Sequence, residues 1–216
     1  MIEHISFRVL YFDSNFLKSG IEFVIFDRME CRFSNPNHPT DYTLIPQVHN
    51  LHFLTIIAPT NSKREAEVLL WAEYMHCFLK SHLIDTKYEL IVVKQGDDRL
   101  FKRGNLFNVG VLHSNNKTDY FIFQDLDLLP MNGTDYSFND EGPVAMAARM
   151  CNYFSKTECK TARYVGLGGV AMVSKRLIYM VNGFSNQFWG WFEFEKLVIN
   201  FSCSMIFTFH ASLMEL

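Results

Sequence analysis

Residues 121–130 read FIFQDLDLLP: three apolar residues, a glutamine, then two aspartates one residue apart. The apolar run has the character of a buried strand. The carboxylates at its end have two physical explanations, a solvated turn or the anchor of a metal that holds a phosphate. Carboxylates at i and i+2 leave a regular strand on one face, but a turn splays them. One is then free to bind a divalent cation while the other hydrogen-bonds a sugar hydroxyl. Hard carboxylate oxygens suit Mg²⁺ or Mn²⁺, whose remaining positions are commonly filled by substrate phosphates. D-x-D alone is a weak pattern. Its weight here comes from the strand that delivers Asp125 and Asp127.

Outward from that stretch, residues 51–59 (LHFLTIIAP) form a continuous apolar run stopped by Pro59, as expected of a buried strand. Over residues 63–83 the apolar positions Ala66, Leu69, Leu70, Met75, Phe78 and Leu79 fall mostly three or four apart, which predicts an amphipathic helix. Residues 88–93 (YELIVV) are a second strand, ended by Gly96, Asp97 and Asp98. A helix is expected over 103–112, with Gly104 and Gly110 weakening its propensity, and a third strand over 119–123. Residues 168–173 (GGVAMV) predict a further strand and 174–181 a short helix. The stretch 182–191 (NGFSNQFWGW) is a glycine-punctuated aromatic loop of the kind that closes over a ligand. Strands alternating with helices predict an α/β fold with a parallel sheet, and in such sheets ligands gather beyond the carboxyl ends of the strands. Asp125 and Asp127 fall there.

Composition supports a globular chain. Its 216 residues are 49% hydrophobic and 20% charged, with a net charge of −3. That balance gives no electrostatic case for nucleic acid or an anionic membrane surface. Five cysteines show no C-x-x-C or C-x-x-H spacing, so structural zinc is not expected; Cys151 and Cys159 are close enough for a local pair, and buried cysteines acting as small hydrophobes are the alternative. The apolar run at 21–26 is too short to span a bilayer, and no signal-peptide pattern precedes it. Sequons at Asn116, Asn132 and Asn200 hint at the secretory pathway, although each motif arises easily by chance.

Taken in order, D-L-D-L-L-P at 125–130, G-G-V at 168–170 and N-G-F-S-N-Q-F-W-G-W at 182–191 resemble the β-1,4-galactosyltransferase family. The stretch F-K-R-G-N-L-F-N-V-G at 101–110 is similar to that family's F-N-R-A…N-V-G segment, with Lys102 and Gly104 as departures. Residues 117–120 (KTDY) and 135–143 look most like the xylosylprotein branch, which adds galactose to xylose in the proteoglycan linker. The resemblance implies a GT-A nucleotide-sugar transferase fold with a mostly parallel central sheet, UDP-galactose as donor, Mn²⁺ as cofactor and inversion at the anomeric carbon. It further implies that Phe101 stacks on the uracil, Arg103 holds the nucleoside, Asp125 contacts the donor and Asp127 ligates the metal. Trp191, with Trp189 beside it, would form the acceptor platform. Arg64 would stand in for the second arginine of the family's P-F-R-x-R donor contact, which here reads P-T-N-S-K-R over 59–64 with one extra residue. The expected acceptor is a xylosyl group on a proteoglycan core protein, and the expected location the Golgi lumen, with the family's membrane anchor not among these residues.

The resemblance covers residues 51–191 and stops there. The family continues W-G-W into G-x-E-D-D, which binds the acceptor and supplies the general base; here residues 191–196 read WFEFEK. Glu193 and Glu195 are the carboxylates available as a base, with chance acids in unrelated sequence as the alternative. His210 is a lone histidine in an apolar tail. The chain is therefore expected to divide into a divergent segment 1–48, a partial catalytic domain 49–191 and an unmatched tail 192–216, the change after Trp191 resembling a splice boundary. Three readings stay open: a galactosyltransferase acting on xylose, N-acetylglucosamine or glucose; a nucleotide-sugar-binding isoform without turnover; and an incomplete gene product.

Overall fold

The computed structural model describes residues 6–12, 21–25, 48–61, 63–131, 134–140, 142–147, 149–151, 159–161 and 169–186. Its first elements are β1 (Ser6–Phe12), β2 (Ile21–Ile25), β3 (Val48–His49), β4 (Leu54–Asn61), α1 (Glu65–His82), β5 (Leu83–Ile84) and β6 (Tyr88–Gln95). They are followed by α2 (Arg103–Leu112), β7 (Tyr120–Gln124), β8 (Val144–Ala145), β9 (Arg149–Cys151), β10 (Cys159–Thr161), β11 (Val170–Ser174) and α3 (Lys175–Met180). Seven strands form the main sheet in the order β2-β1-β6-β4-β7-β11-β8.

Period-two alternation along the central strands divides the core into two layers. Leu54, Ile56 and Ala58 of β4, Leu90 and Val92 of β6, and Ile122 of β7 pack with Trp71, Met75 and Phe78 of α1. Ile57, Ile91, Val93, Phe121 and Phe123 pack with Leu106 and Phe107 of α2 and Leu177 and Ile178 of α3. Because both faces are covered, the strands read as unbroken apolar runs in the sequence.

Connectivity explains which helix lies where. The path β4–α1–β6 steps to one side of β4, and β6–α2–β7 steps back past β4 to its other side. With right-handed crossovers the two helices must lie on opposite faces. The chain thus reverses its winding at β4, and the crevice outside the carboxyl ends of β4, β6 and β7 is a topological switch point.

Three features differ from the sequence expectation. Strand β4 does not stop at Pro59 but continues to Asn61, in register with β6. Pairing with β7 ends at Ile57, so Pro59 lies where β4 has a single partner, a position that tolerates a missing N–H. The sheet is parallel only through β1, β6, β4 and β7, whereas β2, β11 and β8 join antiparallel. Val170 of β11 lies opposite Gln124, the last residue of β7, so the chain re-enters at the carboxyl end and must run back. Finally, β1 and β2, inside the segment set apart as divergent, belong to the main sheet. All seven residues of β1 pair with β6, and Arg8 forms an ion pair with buried Glu89, which also accepts from the Asn115 backbone at 3.0 Å.

In the small β9–β10 ladder Cys151 lies opposite Cys159, while Cys77 of α1 is disulfide-bonded. Asn116 is exposed in the turn before β7; the sequons at Asn132 and Asn200 lie outside the described residues. Among the described residues no helix is long and apolar enough to cross a membrane.

Candidate active site

Strand β7 ends at Gln124 and the chain turns at once. The Asp125 N–H donates to the Gly169 carbonyl at 2.9 Å, tying the turn to the start of β11, and the Leu128 N–H donates to the Asp125 carbonyl at 3.1 Å. The turn separates the two carboxylates as their spacing suggested. Asp125 points inward, with its side chain 15% exposed, and accepts from Arg103 Nε at 2.8 Å. Asp127 points outward and is 60% exposed. Burial pushes the Asp125 carboxyl above its ordinary value, with the Arg103 guanidinium pulling against that shift.

Arg103 is the first residue of α2 and its side chain is only 4% exposed. The guanidinium carbon lies 4.9 Å from the centre of the Phe107 ring, one turn along the helix, which adds a cation–π contact. Phe101, two residues earlier, is half-buried against the second core layer. Arg64 sits between β4 and α1, paired with Glu67, and its Nη2 is 3.7 Å from the outer oxygen of Asp127. The structure thus brings Arg64, Arg103, Asp125 and Asp127 together at the carboxyl ends of the switch-point strands. Trp189, Trp191, Glu193 and Glu195 lie outside the described residues.

Two glutamines that periodicity did not single out hold this arrangement. Gln95, at the end of β6, accepts from the Lys102 N–H at 2.9 Å; its amide donates to the Arg99 carbonyl at 3.0 Å and to Asp97 at 2.7 Å. It pins the loop that presents Phe101 and starts α2. Gln124 is fully buried beneath the aspartates, donating to the Leu128 carbonyl at 2.6 Å and accepting from the Tyr136 hydroxyl at 2.8 Å. Its amide spans the turn from below. A buried polar residue closing a strand was the available signal for both, since such a group must find partners.

Chemically, the site offers one fixed guanidinium, one half-buried carboxylate bound to it, and one exposed carboxylate facing a second arginine. Asp127, exposed and 3.7 Å from Arg64 Nη2, fits a hard cation as a single ligand. Among the described residues no group of three or more His, Cys, Asp or Glu is gathered to hold a cation.

The comparisons agree with this architecture. Residues 39–138 match the N-terminal region of glycosyl transferase group 7, and residues 148–191 match the N-terminal domain of galactosyltransferase. Mouse β-1,4-galactosyltransferase 7 is 36% identical over 159 residues, which are 72% of this chain and 45% of the relative. A crystal structure of a Drosophila β-1,4-galactosyltransferase 7 variant with manganese, UDP-Gal and xylobiose superimposes with a TM-score of 0.54 at 29% identity, covering 65% of this chain and 56% of that one. The catalytic domain of the Drosophila enzyme with xylobiose gives 0.57 at 27% identity, covering 68% and 60%. The chain therefore spans less than two thirds of each of these relatives, and the shared part has the GT-A fold. The matched segments contain the D-x-D turn, the Arg103 helix and the N-V-G stretch in the family's order, and the chain belongs to the β-1,4-galactosyltransferase family.

Proposed function

We propose that this chain binds UDP-galactose at the D-x-D turn and transfers galactose, with inversion, to the 4-hydroxyl of xylose in a proteoglycan linker. The observation that carries this reading is the pairing of Arg103 with Asp125 beneath an exposed Asp127, at the switch point of a GT-A sheet. Support for the substrates comes from the Drosophila structures, whose ligands include UDP-Gal, manganese and xylobiose. Such a reaction belongs to glycosaminoglycan assembly in the Golgi lumen.

In this assignment the acceptor oxygen bonds to the anomeric carbon of galactose as the bond from that carbon to the UDP oxygen breaks. Phe101 packs on the uracil and Arg103 fixes the nucleoside, held by Asp125 so that it does not reorganise as the reaction proceeds. Asp125 also presents its free oxygen to the donor. Asp127 would hold Mn²⁺, which when bound neutralises charge on the departing diphosphate. Arg64, 3.7 Å from Asp127, would add a second positive charge beside that diphosphate. Trp189 and Trp191 would supply the acceptor platform.

One sequence observation favours a second reading. After Trp191 the chain carries FEFEK in place of G-x-E-D-D, so Glu193 and Glu195 are the carboxylates left to take the acceptor proton. If neither reaches it, the chain binds donor without turnover. The test is transfer from UDP-galactose to an aryl β-xyloside in the presence of Mn²⁺, run beside a UDP-binding titration. Binding with formation of a galactosyl-β-1,4-xyloside is the expected result. Binding without product would establish the second reading, and failure to bind UDP would remove both.

A further inference from the structure

Asn108 lies on α2, five residues beyond Arg103, and among the described residues its side-chain hydrogen bonds run to a segment more than 70 residues away. Its amide nitrogen donates to the Phe184 carbonyl at 2.8 Å and to the Asn186 side-chain oxygen at 3.0 Å. Its amide oxygen accepts from the Phe184 N–H at 2.9 Å. Both N–H donors of the amide are therefore used, and Phe184 is gripped through both its backbone groups, much as a strand partner would grip it.

The segment is fitted to this grip from other directions too. Gly183 adopts a left-handed φ of +73°, and a Cβ there would lie 2.5 Å from the Asn108 amide oxygen. Any side chain at 183 would thus meet both backbone strain and the clamping atom. The Gly183 N–H donates to the Ile178 carbonyl at 2.9 Å, anchoring the segment to the end of α3. The Phe184 ring packs edge-on against Phe123 and tilted against Phe107, at centroid distances of 4.7 and 5.2 Å. Residues 183–186 are thereby fixed relative to α2, which carries Arg103, and to β7, whose end leads directly into Asp125.

Trp189 follows Asn186 by three residues and Trp191 by five. Both tryptophans thus follow within five residues, in sequence, of the point where the chain is pinned. We propose that Asn108 is a positioning residue for the acceptor: it sets the origin of the tryptophan segment against the helix that holds the donor site, so that the two substrates are placed from one rigid element. This rests on the proposed function, in which Trp189 and Trp191 form the acceptor platform.

The test uses Asn108→Ala and Asn108→Asp in the full chain. The aspartate keeps the shape but turns two donors into an anion facing the Phe184 and Asn186 oxygens. Three quantities are read: KM for an aryl β-xyloside, KM for UDP-galactose, and backbone amide exchange over residues 182–191. The acceptor KM should rise about tenfold or more, the scale expected on losing two hydrogen bonds in the aspartate variant and three in the alanine variant, with the donor KM unchanged within about twofold. Exchange over 182–191 should quicken while α2 and β7 stay protected. Asn186→Ala, which removes one of the bonds from the loop side, should give a smaller change with the same split. Donor and acceptor KM rising together would mark Asn108 as an ordinary structural residue and overturn the proposal, as would faster loop exchange with an unchanged acceptor KM. Absence of transfer by the unaltered chain would overturn the proposed function and with it the acceptor role, while amide exchange still reads the clamp by itself.

Discussion

Arg103 and Asp125 are both largely removed from water, so each compensates the desolvation of the other. Taking away one partner leaves a buried charge without its nearest opposite charge, which is costlier than losing an exposed pair. Arg103→Ala should therefore lower stability by about 3 kcal/mol in urea denaturation at neutral pH. The loss should shrink in acid. Asp125 already titrates above its ordinary value because it is buried, and a carboxyl with a raised folded pKa favours the native state when protonated, a contribution lost as pH rises through that pKa. Without Arg103 the shift grows, so the variant recovers stability relative to the unaltered chain as pH falls. A loss of equal size at every pH would mean that the guanidinium acts by packing alone.

The elements were legible in proportion to how completely they are buried. β4, β6 and β7 are covered on both faces and stand out as apolar runs, and α2 was placed at its observed bounds. β1 and β2 were not legible, because Arg8 and Glu22 interrupt short apolar stretches, and Arg8 finds its partner in Glu89, 81 residues away. No local pattern records such a pairing. Gly110 illustrates a weakened propensity with a tertiary cause. A Cβ there would sit 2.4 Å from Ile57 Cγ2, so glycine lets α2 lie close on β4. In an isolated helix Gly→Ala gains about 1 kcal/mol. Here Gly110→Ala should instead destabilise by about 1–3 kcal/mol through overpacking. Combined with Ile57→Ala, it should cost less than the sum of the two single changes. Full additivity would show that the close approach is not what requires glycine.

At the scale of the molecule, function follows from where the winding reverses. The switch point at β4 opens a crevice at the carboxyl ends of three strands, and Arg64, Arg103, Asp125 and Asp127 come from the connections that leave them. The family resemblance named these four as candidates, and they lie together because they sit at strand ends and helix starts. Gln95, Gln124 and Asn108 were missed as functional because their roles depend on which loops the fold brings over them. The direct measurement is a calorimetric titration of the full chain with UDP-galactose, with and without Mn²⁺, repeated with Asp127→Asn. If the D-x-D turn is a nucleotide-sugar site, binding by the unaltered chain requires Mn²⁺, and Asp127→Asn weakens it by at least about a hundredfold with thermal stability unchanged. Binding of equal strength without the metal or without the Asp127 carboxylate would contradict the assignment.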